Sequence, residues 1–212
     1  MDKREESQLV KDRQFERLRK GILEELLSAT IYYKIVSEFL ATPKTIRAIM
    51  DKSGYNVFFF YTQWAHIKLL CISLYNVTKH NEQTSNIPRL LCYIRFHKTL
   101  SKKYPVNDIN VIENKLKSHS TFLEKVYDLR DKYYAHNQLN KKGIEIKLGE
   151  MRDGCQLLLP DLQEIYNALS TGYDRSSVMF EMMSSINITK LLTDLTEYKE
   201  IKRMDKKRHC NG

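Results

Sequence analysis

The sequence predicts an all-α protein built as one helical bundle, and three observations predict it. Hydrophobic residues make up 42% of the 212 residues and charged residues 29%, which is apolar enough to bury a sizeable core. Only 7 Gly and 4 Pro punctuate the chain, too few for the many turns of an all-β domain of this length. Apolar residues recur at three- and four-residue steps: Leu9, Phe15, Leu18, Ile22, Leu26, Ala29, Tyr33, Val36 and Leu40 open the series, with charges between them.

That first series reads as a helix over residues 2–40, long enough to suggest a kink near Gly21. Thr42-Pro43 has the chemistry of a cap and a first-turn proline, opening a short helix to about residue 52. Residues 57–79 are apolar on most faces, the pattern of a helix buried in the middle of a bundle. A polar loop over 80–86 leads to Ile87-Pro88, which opens a helix through 103, and a further helix follows over 107–117. Thr121-Phe122-Leu123-Glu124 has the spacing of a capping box and starts a helix reaching His136. After a polar turn, Ile144 to Leu148 alternates like a strand. Gly154 and the run Cys155 to Leu159 would complete a short β-hairpin. Pro160 then opens a helix to 171, a last helix spans 176–202, and a basic tail follows. The domain reading is a charged helical extension over 1–20, a helical domain over 21–203 and a tail over 204–212.

Charge and cysteine usage narrow the function. The balance of 35 Lys plus Arg against 26 Asp plus Glu gives +9, a mild pointer toward phosphate-bearing partners. Cys71, Cys92, Cys155 and Cys210 form no CxxC pair, so reduced thiols are expected rather than a disulfide framework or zinc site. The most membrane-like stretch, 55–77, is interrupted by Gln63, His66, Lys68 and Asn76. The expectation is therefore a soluble, cytoplasmic protein with no membrane partner. No GxGxxG, Walker lysine loop, G-x-S-x-G or HExxH occurs, and no pair of histidines has metal-ligand spacing.

The informative window is Leu129-Arg130-Asp131-Lys132-Tyr133-Tyr134-Ala135-His136-Asn137. On a helix, Phe122, Val126, Leu129, Tyr133 and His136 share one stripe, and Leu123, Tyr127, Arg130 and Tyr134 share the next. Arg130 and His136 then end two adjacent apolar stripes, about 9 Å apart along the axis. In an ordinary helix these would be an interhelix ion pair and a cap near the C-terminal dipole. A histidine near neutrality can move protons, and a forked, charged guanidinium can hold a phosphate.

An Arg, a polar residue straight after it and a His a few positions on, near the end of an apolar helix, resembles the R-x(4–6)-H motif of the HEPN superfamily. Leu129 to Asn137 is especially similar to its abortive-infection branch. Trp64 with the aromatic-rich run through Tyr75, and Ile87-Pro88-Arg89-Leu90-Leu91, resemble that branch's preceding segments. The resemblance implies a HEPN-like helical bundle acting as a homodimeric, cofactor-free and metal-independent endoribonuclease. It would be the toxic effector of a phage-defence or toxin–antitoxin system, with RNA as substrate and an antitoxin or regulatory protein as a further partner. Arg130 and His136 would be catalytic and Asp131 and Asn137 supporting, with Tyr133 and Lys132 contacting substrate. Some HEPN toxins carry a tyrosine two residues after the His, where a partner enzyme modifies it; here that position is Gln138. Two other readings remain: a non-catalytic HEPN-like module binding a partner protein or nucleotide, and a purely structural helical dimer.

Overall fold

The computed structural model of the chain describes residues 3–41, 48, 56–131, 146–180, 194 and 197, with side chains from residue 13 onward. Among the described residues the helices in chain order are α1 Lys3–Ala41, α2 Asn56–Thr78, α3 Ile87–Phe96, α4 Leu100–Lys103, α5 Val106–Ser118, α6 Ser120–Leu129 and α7 Leu148–Asp174. Among the described residues there is no strand. The molecule is an all-α bundle.

α1 is the spine, 39 residues and so about 58 Å long at 1.5 Å per residue. It packs chiefly against α2 and then α7, while α2 also carries α6. The core stripe of α1 is Phe15, Leu18, Ile22, Leu26, Ala29 and Val36, all buried, in the register the sequence pattern predicts. The helix is continuous through Gly21. That glycine serves close approach, because a Cβ there would collide with Ser85 of the α2–α3 loop. Core residues Phe15 and Leu18 belong to the first half of α1, so the bundle's interior begins well before residue 21.

α2 corrects an expectation. Only its C-terminal half is buried, through Ile67, Leu70, Cys71, Leu74 and Val77. Val57, Phe58, Phe60, Tyr61, Trp64 and Leu69 are exposed. It is also the one helix among the described residues long and apolar enough to cross a bilayer by composition. Its buried half nevertheless belongs to the bundle core.

The expected helix over 87–103 is two helices. His97 leaves the helical region and closes α3 through its N–H to the Ile94 carbonyl, while its buried Nδ1 accepts from the Leu100 N–H. The short α4 starts there. His97 thus sits buried in the joint between the two helices. The capping box at Thr121 does not form. α6 begins one residue earlier, at Ser120, and His119 serves as the joint between α5 and α6. Its carbonyl accepts from the Leu123 N–H at 2.9 Å, and its Nε2 lies 2.7 Å from Asp161 of α7.

The predicted hairpin is overturned where the structure describes it. Leu148 to Asp174 is one helix, so Gly154 is not in a turn and Cys155 to Leu159 is not a strand. A short apolar run fits either state by pattern. Here Met151, Cys155, Leu158, Leu162, Ile165 and Leu169 carry the helical step and all are buried. Gly154 lets α6 come close, since a Cβ there would strike the Phe122 ring. Pro160 was expected to open a helix but lies inside this one. It is tolerated because Pro160 and Gln156, whose carbonyl loses its donor, are both exposed to water. The last predicted helix does not start at 176. Residues 176–179 run irregularly along α7, held where the Val178 N–H donates to Asn167 Oδ1 at 2.8 Å. Asp194 and Glu197 are helical, while the predicted short helix after Thr42-Pro43 and the basic tail lie outside the described residues apart from residue 48.

Candidate functional site

Of the site predicted from sequence, the structure describes Arg130 and Asp131. Lys132, Tyr133, His136 and Asn137 lie outside the described residues. α6 positions the described pair. Leu123 and Val126 bury one side of the helix, with Phe122, Tyr127 and Leu129 packed partly against the core. These are the two stripes expected from the sequence. At Arg130 the helix still holds its turn, the Arg130 N–H bonding the Val126 and Tyr127 carbonyls. Arg130 itself keeps helical dihedrals, φ −58° and ψ −48°, so its side chain continues the Tyr127 stripe.

The Arg130 guanidinium stands over the Tyr75 ring at 4.2 Å from its centroid and donates to Asp131 Oδ1 at 2.8 Å. Stacking and the ion pair hold the fork from two sides, while 29% of the side chain stays exposed. Tyr75 meets Tyr127 edge-on at 5.4 Å. The Tyr127 hydroxyl donates to Thr78 Oγ1 at 2.9 Å, and the Thr78 hydroxyl donates to the Leu74 carbonyl at 2.6 Å. Burial pushes the Tyr127 phenol above its ordinary value, against the opposing effect of the Thr78 hydrogen bond. It is a neutral donor at physiological pH. Lys79 places its ammonium 4.8 Å from the Tyr127 ring centroid. Two cations thus converge on one tyrosine pair.

Tyr75, Thr78, Lys79 and Tyr127 are the residues that a motif search leaves out. The available signal was helical spacing: Tyr127 precedes Arg130 by three, and Thr78 and Lys79 follow Tyr75 by three and four. That α2 and α6 would face each other was not readable from spacing. His66, the buried-helix histidine, is half-buried. Its Nδ1 donates to the Thr62 carbonyl at 2.6 Å, and its ring meets Tyr32 edge-on at 5.9 Å. Among the described residues, no three His, Cys, Asp or Glu side chains cluster as metal ligands would.

The described site is thus an Arg-Asp pair at the end of a core helix in an all-α bundle. The family profile HEPN_AbiU2, described as AbiU2, matches residues 12–192, and the chain belongs to that family, of abortive-infection type. No curated protein and no solved structure matches the chain.

Proposed function

We propose that the chain is a metal-independent endoribonuclease, the toxic effector of a phage-defence or toxin–antitoxin system. The observation that carries this reading is Arg130, held by Tyr75 and Asp131 with its outer edge open to solvent. A stacked guanidinium is oriented before substrate arrives, so less entropy is lost when it grips a phosphate. RNA supplies its own nucleophile. His136 takes the 2′-hydroxyl proton, the 2′-oxygen attacks phosphorus, the bond to the 5′-oxygen breaks and that oxygen is protonated. Arg130 holds the non-bridging oxygens as charge builds on them. The products are a 2′,3′-cyclic phosphate and a 5′-hydroxyl.

The dimer that would bring two such sites together has support in the exposed start of α2. Phe58, Phe60, Tyr61 and Trp64 are 64%, 56%, 67% and 44% exposed. With ~200 Å² per aromatic side chain, and Val57 and Leu69 beside them, the open apolar area is on the order of 600 Å². A monomer rarely exposes so much in one place, and a standard interface buries about 800 Å² per partner.

The test is incubation of purified protein with end-labelled RNA in excess EDTA, beside Arg130→Ala and His136→Ala variants. Cleavage that survives EDTA, leaves cyclic phosphate ends and disappears in both variants is expected. A folded protein that cleaves no RNA class would favour the non-catalytic binding module instead.

A further inference from the structure

From residue 13 onward, where its side chains are described, α1 carries Arg13, Arg17 and Arg19, and they are treated differently. Arg19 is paired twice, to Glu16 at 2.9 Å and to Asp174 at 2.7 Å. Burial pulls its guanidinium down, but these hydrogen bonds outweigh that and hold it above its ordinary value. Arg13 and Arg17, one turn apart, are exposed and make no ion pair among the described residues. They line a cavity of 440 Å³ together with Arg89, Gln14, Gln83, Ser85 and a single carboxylate, Glu82.

Arg89 is placed there by the first turn of α3. Asn86 Oδ1 accepts its N–H at 2.8 Å, and one guanidinium nitrogen donates to the Thr84 carbonyl at 3.0 Å, its one guanidinium hydrogen bond among the described residues. Asn86 also donates to the Asn81 carbonyl at 2.8 Å, which ties the loop to the helix start. Gly21 lets that loop lie directly on α1. Three guanidiniums are thus held around one opening with a net positive charge. Their mutual repulsion falls when an anion enters.

We infer that Arg13, Arg17 and Arg89 form a second phosphate-binding site, which takes the backbone of a single RNA strand bound for the Arg130 site. The cavity is several times the volume of one phosphate group, and its charges lie along one and a half helices rather than at a point. That favours a polymer over a small anion. The loop joining α2 to α3 links the two places. It leaves α2 beside Lys79, whose ammonium covers Tyr127 next to Arg130, and ends at Ser85 and Arg89 in the cavity. A strand lying along it would meet both. The inference rests on the ribonuclease reading for its choice of strand, while the binding itself does not depend on cleavage.

The experiment separates the two. A fluorescent single-stranded RNA carrying 2′-O-methyl riboses throughout cannot be cut through its 2′-oxygen, so its anisotropy reports binding alone. Arg13→Gln/Arg17→Gln/Arg89→Gln is expected to bind at least tenfold more weakly at physiological salt. Its plot of log affinity against log salt should flatten by about 2, since each strand phosphate neutralised contributes ~0.7 through counterion release. Lys98→Gln/Lys102→Gln/Lys103→Gln removes the same net charge from exposed positions in and just before α4 and should stay within about threefold of the parent. Glu82→Gln should tighten binding, a gain that misfolding cannot imitate. Arg13→Gln/Arg17→Gln, which leaves the Arg89 loop contacts intact, covers the case in which the triple variant folds poorly. Equal binding by the arginine and lysine variants overturns the site. So does binding of inorganic phosphate that needs these arginines in a protein whose RNA affinity does not. Binding that depends on these arginines in a chain that cuts no RNA keeps the site and removes only the ribonuclease reading.

Discussion

Arg130 is held by groups of different kinds, and each is separable by substitution. Tyr127→Phe removes a hydroxyl from a two-step hydrogen-bond chain and leaves Thr78 with one partner fewer, which should cost about 1 kcal/mol of stability. Thermal or urea unfolding measures it. Arg130→Lys keeps the charge but loses the planar stack on Tyr75 and the fork, so RNA cleavage should fall roughly 100-fold while stability changes little. A lysine variant that cleaves as the parent does would show that point charge suffices and that the stack is incidental. The thiols differ as sharply. Burial pushes Cys71 up to about 12 and Cys155 higher still, whereas Cys92 is exposed. A thiol reagent at pH 8 should modify Cys92 in the folded protein and leave Cys71 and Cys155 untouched until unfolding, as peptide mass spectrometry would show. At this scale the place of Arg130 at the end of the Tyr127 stripe was legible in the sequence, because helical spacing sets it. Tyr75 was not, because its role depends on a contact between helices far apart in the chain.

Among the elements, α7 shows where pattern reading runs out. Cys155 to Leu159 is short and apolar enough to pass for a strand, and a proline straight after it looks like a boundary. The tertiary packing decided otherwise: the buried helical step from Met151 to Leu169 faces the core, and α6 lies so close that a Cβ at position 154 would strike Phe122. Gly154→Ala should therefore destabilise the fold by about 1–3 kcal/mol, despite alanine's better helix propensity, because the Phe122 ring has to move. A stabilised variant would mean that Phe122 yields without cost. The other end of α7 carries the opposite opportunity. Arg175 closes it with φ 62° and ψ 18°, a left-handed conformation that suits glycine, and its N–H bonds the Thr171 carbonyl at 3.1 Å. Arg175→Gly should raise stability by ~0.5–1 kcal/mol, read as a higher urea midpoint at unchanged slope. α1, by contrast, was almost fully legible, since its buried stripe keeps one period across the described core residues. α2 was legible in position but not in burial, because composition cannot say how much of an apolar helix its neighbours reach.

For the whole molecule, the class of fold was readable because few glycines and prolines and a sustained helical period constrain every segment together. How the helices are tied to one another was not, and two aspartates show what those ties contribute. Asp161 of α7 meets His119 at 2.7 Å and Lys115 at 3.0 Å, fastening the α5–α6 joint to α7. Burial raises its carboxyl, but the His119 and Lys115 hydrogen bonds outweigh that and hold it below the ordinary 3.8. Asp174, at the end of α7, is lowered by the Ser176 hydroxyl first and by Arg19 of α1 as well. A carboxyl whose folded value is depressed binds fewer protons in the folded chain than in the unfolded one. Its stabilisation is therefore complete above about 3.8 and is lost as pH falls through its lower folded value. Both groups are partly open to water, so each contribution is modest. Together they predict a loss of stability setting in below about pH 4. Urea midpoints followed by circular dichroism from pH 6 to pH 2.5 should fall more steeply for the parent than for Asp161→Asn/Asp174→Asn, which should start lower at pH 6 and converge with the parent in acid. Parallel curves would place the acid-sensitive contacts elsewhere in the bundle.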